Sequence, residues 1–408
     1  MKKIFSILLA ILAISCSNEI IPNLPTIDAN PVQLSLAMEK RVTQDNDFGL
    51  DLLKNTIVLN DESNILISPL SVSIALGMAW NGAVGQTQTE IGNTLKIKEL
   101  TSKELNEYYK TMQSSLLTID PSTKLSIANA IWYREGFKVK PEFLKINSEN
   151  FNAYVKELNF EKAWALDTIN NWCSKNTKGL IPKILDEIPG DAMMYLMNAV
   201  YFKGIWRDKF DKKNTISADF TNDLGNVAKV NMMVKNDTFA YNSDEFAQYI
   251  DIPYGNKAFS MTIILPNKTL TVNDILSRLT GQNIKSILTD MSIRQVDLKL
   301  PRFKIENSFK LKDPLITMGM PQAFNPEVAD FTGISDQQLF ISEVIHKTYI
   351  TVDEDGTEAA AVTSIGIFTT SMPQYIDFNV NKPFLFFIRE KSTGIILFMA
   401  KVGNVNKF

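Results

Sequence analysis

One segment near the carboxy end constrains this chain more than any other. Residues 352–373 read VDEDGTEAAAVTSIGIFTTSMP. A strand-like run ends at Val352, acidic Asp353, Glu354 and Asp355 follow, and then Gly356. From 357 to 370 every residue except Glu358 and Phe368 is small or β-branched, and no proline occurs before Pro373. An ordinary surface loop is punctuated by Pro, Asn or Asp, which pre-set turns. This one carries no such punctuation, and nothing in it removes a ladder donor, so it can become a strand without steric penalty. With the two-residue period of a strand, Thr357, Ala359, Ala361, Thr363, Ile365 and Ile367 share one face. A flexible surface linker is the plain alternative for the segment taken alone.

The rest of the chain has to supply a body for that segment. It has 408 residues, 45% hydrophobic and 21% charged, enough for a large core. From about residue 32 to the end there is no repeat, low-complexity break or second linker, so one domain over 32–408 is expected. Phe48, Leu52 and Leu53 share a helical face, and Val72, Ala75, Leu76 and Ala79 repeat the spacing after Ser68 and Pro69, where a proline suits a helix start. Residues 125–132 and 196–202 are apolar runs that read as buried strands, the second with Asn198 inside it. Val296, Leu298 and Leu300 alternate with Asp297 and Lys299, as on a sheet with one wet face. The runs 384–388 and 395–399 flank a turn signal at 391–394, a C-terminal hairpin. A mixed α+β domain dominated by antiparallel sheets follows.

The amino terminus reads as a targeting segment: Lys2 and Lys3, an apolar run over 4–14, then Ser15 and Cys16. The run is too short for a stable span of a ~30 Å bilayer core. Ala13, Ile14, Ser15 and Cys16 resemble a bacterial lipoprotein lipobox. That implies a signal peptide over 1–15, a lipid on Cys16, and a flexible tether over 16–31 containing Pro22, Pro25 and Pro31. The expectation is an exported chain, held in the cell envelope on the outer membrane's periplasmic or surface face, or extracellular. The membrane would be met through the lipid alone.

Much chemistry is excluded. The net charge is −3 with no basic run suited to nucleic acid. The one histidine, His346, sits at a strand position, where a satisfied core residue is commoner than a catalyst. There is no Cys/His cluster for zinc, no HExxH, P-loop or GxGxxG, so neither metal nor cofactor is expected. Cys173, in a helical pattern, reads as a buried inert thiol. Carboxylate-only hydrolysis stays open at this point.

Several stretches, in order, resemble the serpin family across roughly 46–406. NILISPLSVSIALGMAWNGAVGQT (64–87) resembles its helix B region, and NAVYFKGIWRDKF (198–210) its central strand and following turn. LPRF (300–303), MGMPQAF (318–324) and ADFTGI (329–334) follow in the family's order. SEVIHKTYITVDEDGTEAAA (342–361) resembles the strand and hinge entering the reactive loop, and FNVNKPFLFFIRE (378–390) and LFMAKV (397–402) the C-terminal signature. Departures are Pro314, expected to interrupt a helix, and Thr332, where Ser is commoner.

The resemblance implies three β-sheets, about nine α-helices and an exposed reactive-centre loop. It implies a monomeric, single-use inhibitor that traps serine or cysteine proteases in a covalent 1:1 complex when its cut loop inserts into the main sheet. Counting along the hinge, Glu354, Gly356, Thr357, Glu358, Ala359, Ala360 and Ala361, places the scissile bond between Thr370 and Ser371. Thr370 suits elastase-like or subtilisin-like enzymes, and a bond after Phe368 would suit chymotrypsin-like ones. Ser68, Ser71, Asn198 and His346 resemble the polar cluster under the centre of the sheet. Trp206 and Arg302, with Glu354, resemble the place where the loop enters. The small hinge residues favour an inhibitor over a non-inhibitory serpin-like binding protein.

Overall fold

The computed structural model describes residues 27–97, 100–357 and 375–405. In chain order its helices are α1 (Leu36–Val58), α2 (Pro69–Trp80), α3 (Gly85–Thr94), α4 (Ser102–Thr118), α5 (Pro141–Phe151), α6 (Ala163–Asn176), α7 (Val272–Arg278), α8 (Gly281–Thr289) and α9 (Lys312–Thr317). Its strands are β1 (Asn64–Ile67), β2 (Lys124–Arg134), β3 (Ala153–Leu158), β4 (Met194–Lys203), β5 (Ile216–Thr221), β6 (Val227–Ser243) and β7 (Ala247–Pro253). There follow β8 (Phe259–Pro266), β9 (Ser292–Pro301), β10 (Phe303–Lys310), β11 (Ile345–Val352), β12 (Ile376–Asn379), β13 (Phe384–Glu390) and β14 (Ile396–Val402).

The strands form three sheets. Nine join in the order β1-β14-β13-β8-β7-β6-β9-β12, with β5 added on β6. The others are β3-β2-β4 and β10-β11. Pairing is antiparallel throughout, except β3 on β2 and β12 on β9. The C-terminal hairpin forms as expected. Its turn is held by the Glu390 carboxylate, which accepts from the amides of Ser392 and Thr393, each at 2.8 Å.

Helix α2 lies at the centre. Ser68 caps it, its Oγ accepting from the Ser71 amide at 3.4 Å, and Pro69 opens the first turn. The spacing of Val72, Ala75, Leu76 and Ala79 predicted one apolar face. The structure differs: every residue of α2 is buried but Ala75, which is half-buried. The helix runs between α1, β4 and β14, so it has no wet face for a periodicity to report. Pro314 also departs from expectation. It is the third residue of α9, inside the first turn, where an amide has no acceptor within the helix, so it does not interrupt the helix.

The expected tether is attached before residue 31. Asp28 pairs with Lys257 at 3.0 Å, and the Ala29 amide donates to Asn256 O at 2.9 Å. The Val32 amide donates to Ser392 Oγ at 2.9 Å. Among the described residues no helix is long and apolar enough to cross a membrane, and no His, Cys, Asp and Glu group is placed to hold a metal ion. Burial pushes the Cys173 thiol up to about 11, the state of an unreactive core thiol.

Candidate functional site: the seam between β4 and β11

Strands β4 and β11 end separate ladders. β4 pairs with β2 and β11 with β10, and among the described residues no ladder joins β4 to β11. The two meet at one end. Beyond β11 the chain turns through Asp353, Glu354 and Asp355, and Gly356 then bridges Ile205, just past β4. The Thr357 amide donates to Gly204 O at 2.7 Å and the Trp206 amide to Asp355 O at 3.0 Å. Gly356 has φ +145°, and a Cβ there would lie 2.2 Å from Gly204 O. Backbone conformation and space both require glycine at this crossing.

The middle of the seam is spanned by a polar chain through the start of α2. The Ser68 amide donates to His346 Nε2 at 2.9 Å, reaching β11. Ser71 Oγ bonds Asn198 Oδ1, reaching β4. Asn198 Nδ2 then donates to Asn129 Oδ1 at 2.6 Å, and Asn129 Nδ2 to Gln113 Oε1 at 2.8 Å. The structure thus brings Ser68, Ser71, Asn198 and His346 together. Asn129 and Gln113 extend the chain and were missed from the sequence. Asn129 stands directly opposite Asn198 in the β2–β4 register. Its signal was the same as that of Asn198, an amide inside an otherwise apolar strand run.

His346 is buried, and burial pushes its imidazole down to about 4. Its Nε2 accepts the Ser68 amide, so the neutral ring carries its proton on Nδ1. A catalytic base is not available here. The folded value lies below the ~6.5 of an unfolded histidine, so the unfolded chain binds the extra proton. The stabilisation is full above ~6.5 and is lost as pH falls toward about 4, by roughly 3 kcal/mol. For a domain this size that is about 4 °C of melting temperature. We expect His346→Gln, whose amide oxygen can accept the same bond, to remove about that much of the drop in melting temperature between pH 7 and pH 4.

The upper end of the seam is an acidic turn held by cations. Arg302 Nε donates to Glu354 Oε1 at 2.8 Å, and Arg302 Nη2 and Thr215 Oγ1 reach the same oxygen. Asp355 pairs with Lys209 at 3.0 Å and Lys212 at 2.7 Å. Burial pushes its carboxyl up, but the bonds from Lys212 and Lys209 outweigh that and hold it below the usual range. Asp353 Oδ1 accepts the amides of Asp355 at 2.9 Å and Gly356 at 3.2 Å, while burial raises its carboxyl.

Trp206 is fully buried beside this turn. Its Nε1 donates to Asp353 O at 2.8 Å and its ring stacks on Tyr254, centroids 4.4 Å apart and planes 10° off parallel. Trp206, Arg302 and Glu354 therefore stand together, with Gly356 and Thr357 beside them. Thr215, Lys209, Lys212 and Tyr254 were not foreseen. Cys16, Glu358, Ala359, Ala360, Ala361, Thr370 and Ser371 lie outside the described residues.

Comparison with known proteins fits this geometry. The profile of the family described as Serpin (serine protease inhibitor) matches residues 43–405. Human leukocyte elastase inhibitor is 34% identical over 387 residues, covering 90% of this chain and 100% of the relative. The crystal structure of the thermophilic serpin tengpin in its native state superposes with a TM-score of 0.84 at 36% identity, covering 93% of this chain and 98% of that one. Human thyroxine-binding globulin complexed with its hormone gives a TM-score of 0.83 at 27% identity, covering 90% and 99%. The chain belongs to the serpin family and has its fold. The family is one of protease inhibitors and not of catalytic enzymes, and relatives of this chain are named as inhibitors, which removes the carboxylate-hydrolase alternative.

Proposed function

We propose that this protein is an irreversible suicide inhibitor of serine endopeptidases, with cysteine endopeptidases a secondary target. The observation that carries the reading is the seam: two strand edges with no shared ladder among the described residues, and a hinge already laid along one of them at Gly356 and Thr357. The protease's nucleophile attacks the carbonyl carbon of Thr370. The peptide bond to Ser371 breaks, the new amine leaves with a proton from the protease's general acid, and Thr370 stays esterified to the enzyme. Freed at that end, 357–370 enters between β4 and β11 as a strand antiparallel to both and carries the acyl-enzyme along. The fifteen residues 356–370 extend to about 50 Å at ~3.3 Å per residue, the length of a domain this size. A displacement of that scale distorts a protease site in which errors of about 1 Å cost ~100-fold in rate.

The fold alone does not separate an inhibitor from a binding protein, since thyroxine-binding globulin shares it. The hinge composition favours inhibition: Thr357, Ala359 and Ala361 place no bulky or charged group on the inward face. We further propose that Cys16 carries a lipid after export, that 17–27 tethers the domain to the cell envelope, and that the chain acts as a monomer.

Incubated with elastase, chymotrypsin and subtilisin, the protein is expected to form 1:1 adducts that survive boiling in detergent. The released C-terminal peptide is expected to begin at Ser371 by mass. Cleavage of the loop with no adduct from any of these enzymes would move the assignment to a non-inhibitory binding protein.

A further inference from the structure

Tyr254 lies at the end of β7, in a turn that no sequence motif singled out, yet its hydroxyl meets the hinge. Tyr254 OH and Thr357 Oγ1 are 2.8 Å apart, and both residues are buried. The tyrosine cannot swing away. Its ring is stacked on Trp206 at 4.4 Å and packs edge to face with Phe202 at 5.2 Å and 72°. Its amide donates to Phe259 O at 2.9 Å, and the next residue, Gly255, donates to Ile205 O at 2.8 Å. Thr357 is held from the other side by its own amide on Gly204 O at 2.7 Å. The side chain and the backbone of one hinge residue are therefore both seated in the seam while β12 is still paired to β9.

We propose that Tyr254 is a positioning residue: it seats Thr357 in the seam before cleavage and so fixes the register in which the rest of the loop enters. The proposal rests on the inhibitory reading above. Register is the sensitive quantity because a strand's side chains alternate, and a slip of one residue exchanges its two faces. With Thr357 inward, the sequence puts Ala359, Ala361 and Thr363 inward after it. With a slip of one, Glu358 would face the slot walled by Tyr254, Phe202 and Trp206, and a carboxylate would have to desolvate there. A loop that starts in register zips at once, whereas one that must search lets the protease deacylate and leave.

The test measures the ratio of cleaved to trapped inhibitor for the full chain against a protease it traps. Tyr254→Phe and Thr357→Val, each of which removes one hydroxyl, are expected to raise that ratio about fivefold, the worth of one neutral hydrogen bond. The double variant should do no worse than either single one, since both delete the same bond. Thr357→Ser, which keeps the hydroxyl, should behave as wild type. A merely structural role for Tyr254 would lower the melting temperature without this pairing, so a multiplicative double variant or an unchanged ratio in Tyr254→Phe overturns the proposal. If the wild-type chain traps no protease, the inhibitory reading fails by itself, and amide hydrogen exchange at Thr357 of the intact chain decides the seating. Slow exchange in wild type that becomes fast in Tyr254→Phe supports it, and equal exchange in the two contradicts it.

Discussion

Thr357→Arg is expected to turn the molecule from a trap into a substrate. Thr357 is 2% exposed, closed in by Gly204 O and the phenol of Tyr254. A guanidinium would have to desolvate in that slot, and two of the three carboxylates of the adjoining turn are already engaged by cations. Glu354 already accepts from Arg302 and Thr215, and Asp355 from Lys209 and Lys212. Burying an unpaired cation costs several kcal/mol, and each 1.4 kcal/mol in the insertion barrier is a factor of ten in rate. The ratio of cleaved to trapped inhibitor should therefore rise by at least about a hundredfold. The scissile bond, thirteen residues further along, should be cut as fast as before. Densitometry of adduct and cleaved bands, with the rate of loop cleavage followed by mass, checks both halves. Trapping retained in Thr357→Arg would mean that Thr357 does not travel inward.

The sequence carried this fold unevenly, and the reasons are local. β9 and the β13–β14 hairpin were legible because alternation and turn residues act over a few positions. The full burial of α2 was not, because periodicity reports a boundary between wet and dry faces and α2 lacks one. The hinge was legible from composition, since fourteen residues without Pro, Asn or Asp are rare in a loop. The partners that hold it were not. Lys209, Lys212, Thr215 and Tyr254 reach Asp355, Glu354 and Thr357 across more than 100 residues of sequence, and nothing short-range marks an ordinary lysine for such a contact. Asn198 was found by the polar break it makes in an apolar strand, and Asn129 makes the same break one strand away. The seam itself left no trace in the pattern. An apolar run marks β4 as a strand and a strand-like run ending at Val352 marks β11, but which edges stay unjoined is decided by long-range pairing.

The second large effect concerns the intact body rather than the loop. A strand entering between β4 and β11 gains neighbours on both sides, and each inserted residue contributes roughly 1 kcal/mol net from its ladder bonds. A dozen residues release on the order of 10 kcal/mol, before any burial of Val362, Ile365 or Ile367. The polar chain from His346 to Gln113 can re-form around the new strand, because amides and hydroxyls exchange partners at little cost. Unfolding a domain of this size carries an entropy of about 0.8 kcal/mol per degree. Ten kcal/mol is then a rise of at least about 12 °C in the melting temperature of the cut form, the two pieces remaining together. The most direct measurement is calorimetry on two samples of the same preparation, one intact and one nicked once within 367–372. The account predicts that the nicked sample melts more than about 10 °C above the intact one. Equal melting temperatures, or a lower one for the nicked sample, would contradict it.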